Sequence, residues 1–119
     1  MVKTILIVDD DVAVRRLFRA VLNQEGFDVA EAGDGQEALD AVRASEPALI
    51  VLDLVMPTVE GIETLVALRK DGVKSKIIAV SGIPQYLSAA RLMGADAALL
   101  KPISIDELVT TVRSLLGPG

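Results

Sequence analysis

With no histidine and no cysteine among its 119 residues, this chain has carboxylates, hydroxyls and amines as its reactive side chains. A Ser-His-Asp triad, a Cys nucleophile, a thiolate zinc site and a disulfide are all excluded. The groups of interest are those that follow short apolar runs: Asp9 and Asp10 after TILIV, Asp53 after ALIVL, Ser81 after KIIAV and Lys101 after AALL. Three carboxylates gathered in one place repel one another unless a cation joins them. Hard oxygen donors that leave positions for water suit Mg²⁺. A carboxylate can also act as a nucleophile and become an aspartyl phosphate; a divalent cation and a lysine then neutralise the oxygens of the transferring group, and a hydroxyl can hydrogen-bond one of them. Because the chain cannot carry a phosphohistidine, the phosphoryl donor must be another molecule.

Convergence of these groups requires a particular arrangement of elements. Five apolar runs, at 4–8, 27–30, 48–52, 76–80 and 97–100, are each followed by a stretch of helical period, which reads as βα repeated five times. Three of the runs are apolar at consecutive positions, as strands of a parallel sheet covered on both faces must be. After the first run, Val14, Leu17, Phe18, Val21 and Leu22 make one apolar stripe that ends before Gly26. The last helix opens on Ser104 and Glu107, the spacing of a capping box, and places Leu108, Val112, Leu115 and Leu116 on one side. The middle helices are expected at 36–44, 60–70 and 84–93, bounded by Gly35, Pro47, Gly61, Gly72, Pro84 and Gly94. Right-handed crossovers put the C-terminal ends of all the strands on one sheet edge, where open α/β folds bind ligands. If the first and third strands are neighbours, their ends lie about 5 Å apart. Only the second run breaks the pattern, ending in Glu31 and Ala32.

A composition of 51% hydrophobic and 24% charged residues predicts one packed domain over residues 1–119. A net charge of −5 is the wrong sign for neutralising phosphates, so no direct contact with nucleic acid is expected. No stretch is apolar and long enough to span a bilayer, and nothing resembles a signal peptide. A cytoplasmic location without membrane contact is therefore expected.

The segments IVDDD (7–11), VLDLVMP (51–57), AVSG (79–82) and LKP (100–102), in that order and spacing, resemble the receiver domain of two-component response regulators. The resemblance covers nearly the whole chain and is closest to stand-alone receivers of the chemotaxis type. It implies a flavodoxin-like doubly wound sheet of strand order 2-1-3-4-5. It further implies that Asp53 is the phosphoacceptor, and that Asp9, Asp10, Asp53 and the backbone carbonyl of Val55 hold Mg²⁺. Ser81 would move toward the phosphoryl group, and Lys101, followed by Pro102 in a cis bond, would pair with it. The implied partners are a sensor histidine kinase or histidine phosphotransfer protein as donor and a downstream protein target. Such a domain is a switch that catalyses only its own phosphorylation and slow dephosphorylation. One position departs from the family: Ala98 stands where a Tyr or Phe is common. The nearest aromatic is Tyr86, so the fourth helix and the loop before it are expected to carry the conformational readout. Val55 and Ile83, both apolar, flank the path of attacking water and suggest a long-lived phosphoryl group.

Each of these residues also has a plainer reading. Asp9-Asp10-Asp11 can cap the first helix, and Ser81-Gly82 and Lys101-Pro102 can be ordinary turn residues. Arg15, Arg16 and Arg19 can be a solvated helix face or, if they sit beside the acids, a docking surface for an acidic partner. Tyr86, Leu92, Met93, Leu99 and Ile103 read most simply as core, with any exposed remainder a candidate output surface. The competing activity is a phosphohydrolase of the haloacid dehalogenase type, which uses the same chemical groups. Its D-x-D-x-[TV] motif fails at Ala13, and the chain lacks room for that family's cap. A flavodoxin-like cofactor carrier is disfavoured by the acidic loop after the first strand, and no G-x-x-x-x-G-K-[ST] nucleotide motif is present.

Overall fold

A computed structural model describes residues 2–56 and 61–119. Its elements alternate strictly: β1 (Thr4–Val8), α1 (Val12–Gln24), β2 (Asp28–Ala32), α2 (Gly35–Ala44), β3 (Leu49–Asp53), α3 (Gly61–Lys70), β4 (Lys76–Ser81), α4 (Pro84–Leu92), β5 (Ala97–Leu100) and α5 (Ile105–Leu116). All four strand pairs are parallel, in the order β2-β1-β3-β4-β5. Pro57, the last residue of the second motif, and residue 60, the expected start of the third helix, lie outside the described residues.

The three continuous apolar runs are the three central strands, β1, β3 and β4, which are buried almost end to end. Side chains alternate across a strand, so a buried strand must satisfy two cores. Ile5, Ile7, Leu49, Val51, Ile78 and Val80 pack with Phe18 and Leu22 of α1 and Leu108 and Val112 of α5. Leu6, Val8, Ile50, Leu52, Ile77 and Ala79 pack with α2, with Leu65 and Leu68 of α3, and with Ala90 of α4. The sheet is therefore doubly wound, with two helices on one face and three on the other. The edge strands β2 and β5 are only half buried.

Helix ends follow their local chemistry. Asp11 is the N-cap of α1 and accepts hydrogen bonds from the Ala13 and Val14 amides at 2.9 and 3.3 Å. The capping function thus falls to the third aspartate of the run, leaving Asp9 and Asp10 for other work. Gly26 follows the helix with φ of 96°, the left-handed conformation that ends helices most cheaply in glycine. Ser104 caps α5 by accepting from the Glu107 amide at 3.0 Å. At Gly61 a Cβ would overlap the Asp53 carbonyl oxygen and the Leu54 Cα. Glycine is needed there to let α3 begin directly against the end of β3, and the Gly61 amide donates to the Leu54 carbonyl at 3.0 Å.

Two expectations need correction. The second strand begins at Asp28, not Phe27, and runs through Glu31 and Ala32: Phe27 is a core side chain ahead of the strand, and the ladder with β1 continues to Ala32. Of the five residues read as core, Leu99 is buried and Ile103 packs against the core, but Tyr86, Met93 and Leu92 are 38%, 43% and 90% exposed. Among its residues α4 buries only Ala90; it covers the edge of the sheet, where β5 opens on two alanines, Ala97 and Ala98.

This difference between core and surface can be measured. Ile50→Ala, in the middle of β3, should lower the unfolding free energy by about 2–5 kcal/mol in urea denaturation, whereas Leu92→Ala should change it by no more than about 0.5 kcal/mol. Similar values for the two would contradict the burial described.

Candidate functional site

Parallel pairing brings the C-terminal ends of β1, β3, β4 and β5 to one edge of the sheet. Asp9 follows β1 directly, Asp53 is the last residue of β3, Ser81 is the last residue of β4, and Lys101 follows β5. Asp9, Asp10 and Asp53 each offer a carboxylate oxygen within 4.8 Å of the others. Asp9 and Asp53 are buried, while Asp10 faces solvent. Lys101 Nζ lies 3.3 Å from Asp53 Oδ2 and 3.9 Å from Asp9 Oδ2. Its half-exposed ammonium offsets part of the acid charge.

The backbone holds these groups in place. The Val55 amide donates to Asp53 Oδ1 at 3.1 Å, so one carboxylate oxygen is fixed by the turn after β3 while the other meets the lysine. The Asp11 amide donates to Asp9 Oδ1 at 2.9 Å. The Ile83 amide donates to Ser81 Oγ at 3.0 Å, and the Lys101 amide donates to the Ser81 carbonyl at 2.9 Å, tying the ends of β4 and β5 together. Lys101 and Pro102 are joined by a cis peptide bond. The apolar side chains of Val55 and Ile83 are exposed on the loops around Asp53. Ala98, in β5, pairs with Ala79 of β4, and Tyr86 lies in the first turn of α4.

The carboxyl of Asp9 is held above its ordinary value of 3.8. Burial is the largest cause; the hydrogen bond from the Asp11 amide opposes it, the charge of Asp53 adds to it, Lys101 opposes it, and Asp10 adds to it. A buried acid that resists ionisation and faces two others is a set of hard oxygen donors with excess negative charge, which fits a small divalent cation such as Mg²⁺.

The arginines of α1 do not form a plain solvated face. Arg15 Nε and Arg19 Nη1 each lie 3.1 Å from the carboxylate of Glu31, and only Arg16 makes no ion pair among the described residues. Glu31 belongs beside this site although its run ends out of the pattern the other strands share. The signal was present: an acid at the end of β2 opposite two arginines one helical turn apart. The hydrogen bond from Arg19 is the largest cause holding the Glu31 carboxyl below its ordinary value; desolvation opposes it, and the hydrogen bond and charge of Arg15 add to it.

The chain belongs to the response regulator receiver domain family, whose model matches residues 5–113. The DNA-binding response regulator MtrA of Mycobacterium leprae is 38% identical, with 98% of this chain and 52% of that protein covered. The chain spans about half the length of the curated relatives it matches. Among solved structures, the chemotaxis protein CheY4 of Vibrio cholerae superimposes with a TM-score of 0.90 at 27% identity, covering 98% of this chain and 100% of that one. The receiver domain of the Francisella response regulator 1452 gives 0.89 at 32% identity, with 95% of each chain covered. What the fold and the acidic edge together define is a receiver domain of a two-component response regulator, with the flavodoxin-like strand order.

The raised carboxyl of Asp9 makes stability depend on pH in a definite direction. Its folded value exceeds its unfolded one, so ionised Asp9 destabilises the fold above both values, and the cost disappears as pH falls through them. In chelator, Asp9→Asn should melt a few degrees above wild type near neutral pH, and calorimetry at successively lower pH should show the difference shrinking. A variant less stable than wild type at neutral pH would contradict the electrostatic account.

Proposed function

We propose that this domain accepts a phosphoryl group on Asp53 from a partner's phosphohistidine and relays its phosphorylated state to a downstream protein. The observation that carries the reading is one carboxylate, Asp53, in contact with Lys101 and within 4.8 Å of two further acids. A carboxylate oxygen of Asp53 attacks phosphorus, the P–N bond to the donor imidazole breaks, and its electron pair returns to that ring. Lys101 already touches the Asp53 carboxylate and would follow the negative charge onto the phosphoryl oxygens. The Ser81 hydroxyl would hydrogen-bond another of those oxygens. Asp9, Asp10 and Asp53, with the Val55 carbonyl, would hold Mg²⁺. When bound, the ion supplies positive charge to the oxygens of the transferring group.

Docking of the donor is supported by an apolar groove of about 490 Å³ lined by Val14, Leu17, Phe18, Pro102 and Ile103, with Lys101 at its edge. A histidine-bearing helix laid there would present its ring beside Asp53. A sensor kinase or a histidine phosphotransfer protein fits that role, and on this reading the domain acts in the cytoplasm as a switch, not a turnover enzyme. Among the described residues no helix is long and apolar enough to cross a membrane. The net charge of −5 supports a protein partner over direct contact of this domain with nucleic acid. We take residues 1–119 as one receiver domain.

With Ala98 in place of the family's usual aromatic, readout passes to α4. This helix is held to the sheet by one fully buried residue, Ala90, and begins next to Ser81 and Ile83. A shift of Ser81 toward a phosphoryl group would strain the hydrogen bond that the Ile83 amide donates to Ser81 Oγ and pull on the start of the helix. Exposed Tyr86, Leu92 and Met93 then form the surface whose exposure changes.

Incubation with Mg²⁺ and acetyl phosphate should add one phosphoryl group to wild type and none to Asp53→Asn, by intact mass, with chelation abolishing labelling. Val55 and Ile83 carry no polar group to orient an attacking water, so the label should decay over minutes or longer once donor is removed. Continuous release of phosphate from small phosphoesters would instead indicate a hydrolase. Beryllofluoride with Mg²⁺ should shift the amide resonances of residues 82–93; a response confined to the acidic residues would remove α4 as the readout.

A further inference from the structure

We propose that Arg15 is a positioning residue for the cation, clamping the backbone of the acidic turn so that the Asp9 and Asp10 carboxylates stay converged on Asp53. The inference rests on the Mg²⁺-dependent reading above and deepens it. Three like charges within 4.8 Å push one another apart before any cation arrives, and the short turn between β1 and α1 carries two of them. Lys101 offsets part of that repulsion, and the rest falls on the main chain of the turn. At Asp9 both main-chain groups are tied down: the amide donates to the Ala32 carbonyl of β2 at 3.1 Å, and the carbonyl accepts from Arg15 Nη1 at 2.7 Å.

The guanidinium is itself aimed. Arg15 Nε donates to Glu31 Oε1 at 3.1 Å, and Arg19 Nη1 holds the other oxygen of the same carboxylate. Glu31 stands in β2 opposite Ile7 of β1, so the clamp is anchored to the sheet. The side chains of Arg15 and Glu31 are 16% and 19% exposed, that of Arg19 50%; Arg15 is the inner member. A planar fork presents donors in a fixed plane to a carboxylate and a carbonyl at once, whereas an ammonium on a flexible stem is a compact charge not bound to that geometry. Glu31 also occupies the cation that would otherwise turn onto Asp9 or Asp10: among the described residues Arg15 pairs with Glu31 and with none of the three aspartates. The carboxylates are thus left for a metal.

The clamp and a bare charge effect have opposite signs. Removing a nearby cation should tighten Mg²⁺ binding if Arg15 acts only through its charge, and weaken it if Arg15 holds the ligands in place. Calorimetric titration of the metal-free chain with Mg²⁺, well below each melting temperature, should show Arg15→Gln binding about 10-fold more weakly than wild type, the scale for residues that orient metal ligands. Arg15→Lys keeps the charge, loses the fork, and should weaken binding similarly; it carries the test if Arg15→Gln does not fold. Arg16→Gln removes the same charge from the exposed side of the helix without touching Asp9 or Glu31 and should leave the dissociation constant within about twofold, as expected for an exposed, screened charge. Unchanged or tighter binding by the Arg15 variants would overturn the clamp while leaving the metal site intact. A wild type that takes up no Mg²⁺ would overturn the metal reading and the clamp with it.

Discussion

Crowding of negative charge at one edge of a sheet is the constraint around which this molecule is arranged. Bringing Asp9, Asp10 and Asp53 within 4.8 Å is unfavourable in the metal-free state, most of all for buried Asp9, whose carboxyl resists ionisation. The fold bears this cost because the groups sit on parallel strands that two apolar cores hold together. A site built on rigid strands can keep like charges close where a flexible loop would spread them. That excess of negative charge fits the edge for a small divalent cation.

Polar contacts around the edge divide the work. Asp11, adjacent to the acid pair, caps α1, so the helix N-terminus does not draw Asp9 or Asp10 away from the cluster. Lys101 approaches from the far side and meets Asp53 at 3.3 Å. Arg15 and Arg19 carry positive charge close by, yet Glu31 takes both. One cation therefore faces the acids directly and another acts on their backbone. The two are not interchangeable: an ammonium serves as a compact charge, whereas a guanidinium spans two acceptors in one plane.

The opposite side of the site is built more loosely. β5 and α4 contribute small or exposed residues, with Ala98 in the strand and only Ala90 fully buried in the helix. Weakly held elements are the ones that can move at little cost, and here they adjoin the Ser81 and Lys101 ends of the site. Rigidity on the Asp9 side and looseness on the Ser81 side suit a domain whose chemistry must be fixed while its surface responds.

Much of this was legible in the linear chain because it is encoded over short distances. Continuous apolar runs mark β1, β3 and β4 since both faces of a central strand are covered, a 3.6-residue stripe marks α1, and Ser104 with Glu107 marks the start of α5. The reactive residues stood out because each follows such a run. Other features depend on what lies opposite in space. Register between β1 and β2 decides that Glu31 meets Arg15 and Arg19, sixteen and twelve residues away, and no local pattern reports register on a half-buried edge strand. The same holds for Tyr86, Leu92 and Met93, whose apolar character reads as core although the narrow β4–β5 edge leaves them uncovered. Periodicity tells which side of an element turns away from water; only the assembled sheet decides whether anything is there to meet it, and how near the charges come.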